Sequence, residues 1–216
     1  MKIFLDTADI EEIIAANATG LISGVTTNPT LMAKSAEKPF LEVIEEIQEA
    51  CPHLESISAE VVGDNADHMC ELAEPFASLG NVTIKLPCTP DGLKACTRLA
   101  SEGRKVNVTL VFTVAQAILA EKAGAAYISP FVGRLEDHGA DGLNLINDLR
   151  ELYSGHGRFT TTQILAASIR NVKQVEQCAL LGADIVTVPP KVFWAMYENI
   201  LTEKGLEKFE EDWAKL

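Results

Sequence analysis

The hydrophobic patterning of this chain specifies an α/β fold: a single (β/α)8 barrel of the TIM type, with an extra helix at the C-terminal end. Three observations carry that expectation. Short β-branched runs alternate with amphipathic stretches along the whole chain. The runs are almost continuously apolar and bounded by Gly, Pro, Asn or Ser, as parallel strands covered on both faces should be. Eight such strand-then-helix units fit into 216 residues, an ordinary length for one barrel. A doubly wound open sheet is the runner-up, but it usually has fewer units.

The strands are expected at residues 3–6, 24–27, 57–61, 82–86, 106–111, 126–129, 163–167 and 185–188. Amphipathic helices fall between them, including 39–50, 65–79, 91–101, 114–123, 143–152, 172–181 and 192–201. Gly20, Gly24, Pro29 and Gly182 read as turn punctuation, and Gly80 and Gly103 as helix ends. Residues 203–216 lie beyond the eighth unit. There Leu206, Phe209, Trp213 and Leu216 fall on one face of a helix. That stripe must dock on its own barrel or on a neighbouring subunit, and the stripe alone does not choose. No linker or low-complexity tract interrupts residues 1–216, so one domain is expected.

Composition narrows the function. The net charge of −13 argues against a nucleic-acid partner, which would require a basic stripe. It does not exclude a small anionic substrate, because local charge can oppose the global sign. Cys51, Cys70, Cys88, Cys96 and Cys178 form no C-x-x-C and no zinc-finger spacing, which suits free thiols in a reducing cytoplasm. The N-terminus turns acidic at Asp6 and Asp9, too early for a signal peptide. No apolar run approaches the roughly 20 residues that span a bilayer, so no membrane partner is expected. His53, His68, His138 and His156 do not cluster; no metal and no cofactor are assigned.

Lys85 is the most informative residue. It sits in Val82-Thr83-Ile84-Lys85-Leu86-Pro87, an apolar run closed by proline. Lysine is almost never fully buried unless paired or given a task. Desolvation disfavours an ammonium, and a neutral amine is a nucleophile toward carbonyls. The bland alternative is a strand-end lysine reaching to water. Side-chain parity decides between them. Residues two apart on a strand share a face, so Lys85 shares one with Thr83, Glu60 with Ser58, and Asn107 with Thr109. The opposite parity (Ile57, Ala59, Ile84, Leu86, Val106, Val108) is apolar and suits the helix layer, which leaves the polar set to the lumen.

Asp6, Asn28, Glu60, Lys85, Asn107 and Thr109 thus gather near the carboxyl ends of five strands, where barrel active sites are built. A satisfied polar network is the alternative. Buried ions rarely outperform apolar packing, however, so a cluster of titratable groups at that rim points to catalysis. Arg134 after the sixth strand, with Ser168 and Arg170 after the seventh, adds guanidinium and hydroxyl groups suited to a phosphate on the same rim.

Six segments resemble the transaldolase family, in particular the short single-domain branch that also contains the fructose-6-phosphate aldolases. They are Phe4-Leu5-Asp6-Thr7-Ala8-Asp9, Gly24-Val25-Thr26-Thr27-Asn28-Pro29-Thr30, Val82 to Pro87 as above, Asn107-Val108-Thr109-Leu110-Val111-Phe112, Ser129-Pro130-Phe131-Val132-Gly133-Arg134 and Ala167-Ser168-Ile169-Arg170. The resemblance implies a barrel with a Schiff-base lysine at Lys85. Asp6, Asn28, Glu60, Asn107, Thr109 and Ser129 match its active-site positions, and Arg134, Ser168 and Arg170 its phosphate-binding positions. It implies a homo-oligomer, a pentamer or decamer, with the last helix packed on a neighbour.

Aldolase members carry tyrosine and glutamine where this chain has Phe131 and Glu60, so the pattern here looks like the transaldolase side. Ile169 stands where many longer members carry phenylalanine. The implied activity is transfer of a dihydroxyacetone unit from sedoheptulose 7-phosphate or fructose 6-phosphate to glyceraldehyde 3-phosphate or erythrose 4-phosphate, as in the pentose phosphate pathway. On that reading Asp6 is the base, Glu60 works through a water held by Thr109, and Asn28 and Asn107 hold hydroxyls. Two rivals are a fructose-6-phosphate aldolase and a non-enzymatic phosphosugar-binding barrel.

Overall fold

The computed structural model describes residues 1–35, 38–155 and 160–216; His156 lies outside them. Eight parallel strands close into a barrel in chain order, each paired with its sequence neighbours and the last with the first. β1 (Lys2–Asp6) leads through α1 (Ile10–Asn17) to β2 (Gly24–Thr26). Then come α2 (Pro29–Ser35), α3 (Phe40–Ala50), β3 (Ser56–Glu60), α4 (Ala66–Ala73), β4 (Val82–Pro87), α5 (Pro90–Ser101), β5 (Val106–Val111) and α6 (Val114–Lys122). The chain continues with β6 (Tyr127–Pro130), α7 (Val132–Asp137), α8 (Gly142–Ser154), β7 (Gln163–Ala166), α9 (Val172–Leu180), β8 (Ile185–Val188), α10 (Pro190–Ala195) and α11 (Ile200–Trp213).

Local chemistry explains the helix starts. Asp9, Asn65, Thr89, Thr113, Asp141 and Asn171 each accept first-turn backbone N–H groups of the helix that follows, satisfying donors the helix cannot. Three expected boundaries shift. The helix expected over 65–79 ends at Ala73 and gives way to a 3-10 turn, Glu74–Phe76, because Pro75 has no N–H to continue the ladder. The stretch 192–201 is two elements: α10 ends at Ala195, and α11 starts afresh after the Asn199 cap. The terminal helix accordingly begins earlier than residue 203.

The main core lies between barrel and helices, on the parity of Ile57, Ala59, Ile84, Leu86, Val106 and Val108. A second, smaller cluster fills the lumen floor: Phe4, Tyr127, Leu165, Ala167 and Ile185. Phe4 and Tyr127 meet edge to face with centroids 6.3 Å apart. Gly24 makes room for them, since a Cβ there would stand 2.8 Å from the Phe4 ring and 2.7 Å from the Ser56 carbonyl. The lumen floor is thus mostly apolar, with the Ser56 and Thr83 hydroxyls bonded to each other at 2.8 Å within it.

All five cysteines are free, and burial pushes every thiol up, those of Cys96 and Cys178 to about 12. No helix among the described residues is long and apolar enough to cross a membrane. Helix α11 has no buried residue: Phe209 is 71% exposed and Trp213 77% exposed, so its own barrel leaves the apolar stripe uncovered.

Candidate active site

Lys85 is buried in the lumen with its strand neighbours in register, Glu60 on β3 and Asn107 on β5. That register brings Glu60 Oε2 to 2.9 Å from Lys85 Nζ. The amine also donates to the Thr27 carbonyl at 3.1 Å, where β2 ends. Both contacts are those of a paired lysine, and the snorkelling alternative does not hold. Glu60 thus touches the amine directly.

Asp6 closes β1 and accepts from the Thr26 hydroxyl at 2.7 Å; that hydroxyl also lies 2.6 Å from Thr187 Oγ1 on β8. Burial pushes the Asp6 carboxyl above the ordinary range, against the opposing pull of the Lys85 ammonium and the Thr26 bond. The site thus presents a direct lysine–carboxylate pair and, beside it, a carboxyl that desolvation makes a stronger base.

Asn28 caps α2, its Oδ1 accepting from Leu31 N at 3.0 Å, with Pro29 at the first helical position. That fixes the side chain at the rim. Ser129 donates to Asn107 Oδ1 at 2.8 Å, while Asn107 Nδ2 has no protein partner. Thr109 is buried with an unpartnered hydroxyl. The next residue, Leu110, takes φ of +59° where the β5–β6 register shifts, a bulge that ends the regular alternation of β5.

A cavity of about 340 Å³ opens above Lys85, lined by Asp6, Asn28, Ser129, Phe131 and, at its rim, Arg134, Ser168 and Arg170. It thus gathers most of the expected set. Glu60, Asn107 and Thr109 do not line it; the first two reach it through Lys85 and Ser129. The Arg134 guanidinium lies 4.9 Å over the Phe131 ring, which in turn packs edge-on against Phe112 at 5.7 Å.

Arg170 Nη2 pairs with Asp137 Oδ2 at 2.7 Å, and its backbone N–H donates to Gln174 Oε1 at 2.6 Å. Its stem crosses Gly133 closely: a Cβ there would meet Ser168 O at 2.1 Å and Arg170 Cγ at 2.8 Å. Ser168, at φ +59°, makes the sharp turn out of β7 that brings these groups together.

Seven cavity-lining residues lie outside the expected set: Thr26, Leu31, Lys34, Ala167, Ile169, Thr187 and Pro189. Thr187 carried the same signal as Lys85, a polar side chain inside an otherwise apolar strand. Thr26 shares parity with Asn28 and was legible on that ground. Among the described residues, no group of three or more His, Cys, Asp or Glu is placed to hold a metal ion.

Named relatives resemble this chain over nearly its whole length. A probable transaldolase from Caulobacter vibrioides (strain NA1000 / CB15N) is 53% identical, covering 99% of this chain and 97% of the relative. One from Geobacter metallireducens is 50% identical, covering 100% and 99%. Among solved structures, thiamine phosphate pyrophosphorylase from Pyrococcus furiosus matches with TM-score 0.62 at 15% identity, covering 89% of this chain and 87% of that one. The 3-hexulose-6-phosphate synthase of Salmonella typhimurium matches with TM-score 0.59 at 21% identity, covering 88% and 89%. These two share the fold. The family model for transaldolase/fructose-6-phosphate aldolase matches residues 3–216, and the chain belongs to that family.

Proposed function

We propose that the protein is a transaldolase that moves a dihydroxyacetone unit between sugar phosphates through a Schiff base on Lys85. The observation that carries this reading is the buried amine between a contacting carboxylate, Glu60 at 2.9 Å, and the raised carboxyl of Asp6, under a cavity rimmed by Arg134 and Arg170. Lys85 Nζ, its proton passed to Glu60, attacks C2 of fructose 6-phosphate or sedoheptulose 7-phosphate. Loss of water leaves an iminium. Asp6 takes the C4 hydroxyl proton, the C3–C4 bond breaks, and its electron pair moves into the iminium to form an enamine. The aldehyde departs, glyceraldehyde 3-phosphate or erythrose 4-phosphate adds, and hydrolysis frees the new ketose and the lysine.

The remaining residues support those steps. Glu60 returns protons to the carbinolamine through a water that the Thr109 hydroxyl can hold. Asn28 and Ser129 hold the dihydroxyacetone hydroxyls, Asn107 orienting Ser129 from behind through the 2.8 Å bond. Arg134, Ser168 and Arg170 grip the phosphate, guanidinium being the cation suited to bidentate contact. In the cell this is pentose phosphate chemistry in the cytoplasm. Borohydride reduction in the presence of fructose 6-phosphate should fix a three-carbon adduct on the peptide containing residues 82–87. No adduct there defeats the enzymatic reading in favour of a sugar-phosphate-binding barrel.

The aldolase alternative turns on Phe131. Its ring keeps the wall beside the enamine apolar, so the enamine waits for an aldehyde. Phe131→Tyr should raise acceptor-independent cleavage of fructose 6-phosphate by about tenfold, a hydroxyl in place being a modest general acid. Release measured without erythrose 4-phosphate checks this; unchanged cleavage removes Phe131 as the determinant.

The same reading makes the chain a homo-oligomer, pentamer or decamer, with α11 covered by a neighbour. Support comes from the exposed Leu206, Phe209 and Trp213 on one helix, more contiguous apolar surface than a free helix end should show. Phe209→Glu with Trp213→Glu should leave the far-UV circular dichroism unchanged and shift sedimentation to the monomer. Unaltered sedimentation overturns this assignment of α11.

A further inference from the structure

Lys34 stands in the wall of the cavity on the side of β2, an ammonium that none of the motifs pointed to. In the closed ring β2 lies opposite β6, so the α2 rim that carries Lys34 faces the rim that carries Arg134. The two guanidiniums are not equally available. Arg170 is already compensated by Asp137 at 2.7 Å, while Arg134 rests on the Phe131 ring with no acidic partner among the described residues. Lys34 likewise makes no ion pair among the described residues. Among the described residues the mouth therefore has two cations without an acidic partner, on opposite walls, in a chain whose net charge is −13.

We propose that Lys34 is a third cationic contact to the phosphate, closing on it from the β2 side while Arg134 and Arg170, with Ser168, hold it from the β6–β7 side. The proposal rests on the sugar-phosphate reading above and deepens it. A phosphate monoester carries about −1.5 to −2 charge near pH 7, more than Arg134 alone neutralises once Asp137 has taken up the charge of Arg170. The residue types suit the geometry. A guanidinium fork fixes the orientation of an oxyanion from a built wall, whereas an ammonium on a flexible stem adds point charge from an open one. Leu31, three residues earlier on α2 and on the same helix face, lines the same wall.

The test compares Lys34→Ala, Lys34→Arg and Arg134→Ala. For Lys34→Ala the KM for fructose 6-phosphate should rise about fivefold, as for a partly exposed ion pair. The dissociation constant of inorganic phosphate, measured calorimetrically, should rise equally, with kcat within about twofold. The KM for unphosphorylated fructose should not move, and Lys34→Arg should recover most of the loss. The proposal is overturned if phosphate affinity is unchanged in Lys34→Ala but falls in Arg134→Ala, if the fructose KM rises in parallel, or if arginine fails to rescue. If Arg134→Ala also leaves phosphate affinity unmoved, the phosphate-site reading falls first and takes this proposal with it.

Discussion

Lys85→Met abolishes transfer, with a loss on the order of 10^4-fold or more, because the other amine lining the cavity, Lys34, is exposed at its rim and among the described residues contacts no carboxylate that would take its proton. The borohydride adduct disappears with it. The substitution also has a structural cost. It leaves Glu60, itself nearly buried, without the cation it contacts at 2.9 Å. Breaking a buried pair from one side costs about 3–5 kcal/mol, so Lys85→Met alone should unfold at lower temperature than the parent.

Lys85→Met combined with Glu60→Gln removes both charges and should recover most of that stability while restoring no activity. The pair of variants separates chemistry from folding. Transfer above a hundredth of the parent rate in either variant, or an adduct trapped on another lysine, would remove Lys85 from the centre of the mechanism.

Asp6→Asn should lower kcat by about 10²- to 10⁴-fold, the usual worth of a positioned base, and yet not destabilise the protein at neutral pH. The second half follows from the sign of the shift. Burial raises the folded pKa of Asp6 above its unfolded value near 3.9. The folded state then holds the proton more tightly than the unfolded one. This group's contribution is most favourable below about pH 4. It declines as pH rises between the unfolded and folded values, and stays at its full cost above them.

Asparagine carries no such cost, and its Oδ1 can still accept from Thr26. The melting temperature of Asp6→Asn at pH 8 should equal or exceed that of the parent, an advantage that vanishes near pH 4. In the parent, the acid limb of kcat/KM should lie above the ordinary carboxylate range and be missing from the residual activity of the variant. A variant that is both active and less stable at pH 8 would show that attraction to Lys85, not desolvation, governs Asp6.

The barrel was legible because its strands are nearly all apolar on the helix-facing parity, so a single polar residue such as Lys85 or Thr187 stands out against Ile84 or Val186. Lumen parity then placed Glu60 and Asn107 beside Lys85, and the register has them there. Short helices were not legible. α2 and α7 have seven and six residues, too few for a 3.6-residue period to emerge. Their absence from the expected elements is also why Lys34 and Asp137 were missed, for both sit on those helices. The Leu110 bulge was equally silent, since leucine carries no preference for positive φ and only the tertiary register demands it. Nor could sequence say that Arg170 is charge-compensated, because Asp137 is 33 residues away and meets it only through the Gly133 crossing.

The raised thiols bear on the same chemistry. Sugar aldehydes are electrophiles, and a thiolate would capture them as readily as an amine. Cys88 follows β4 closely, three residues beyond Lys85, and is only partly covered. Its Sγ points to the Gln116 carbonyl on α6, and it does not line the cavity above Lys85. Burial keeps it, and the four other cysteines, in the protonated form near neutral pH. Chemical selectivity in this barrel is thus partly a matter of silence: the amine in contact with a carboxylate lies under the cavity, and five sulfur nucleophiles are kept protonated by the packing that builds the fold.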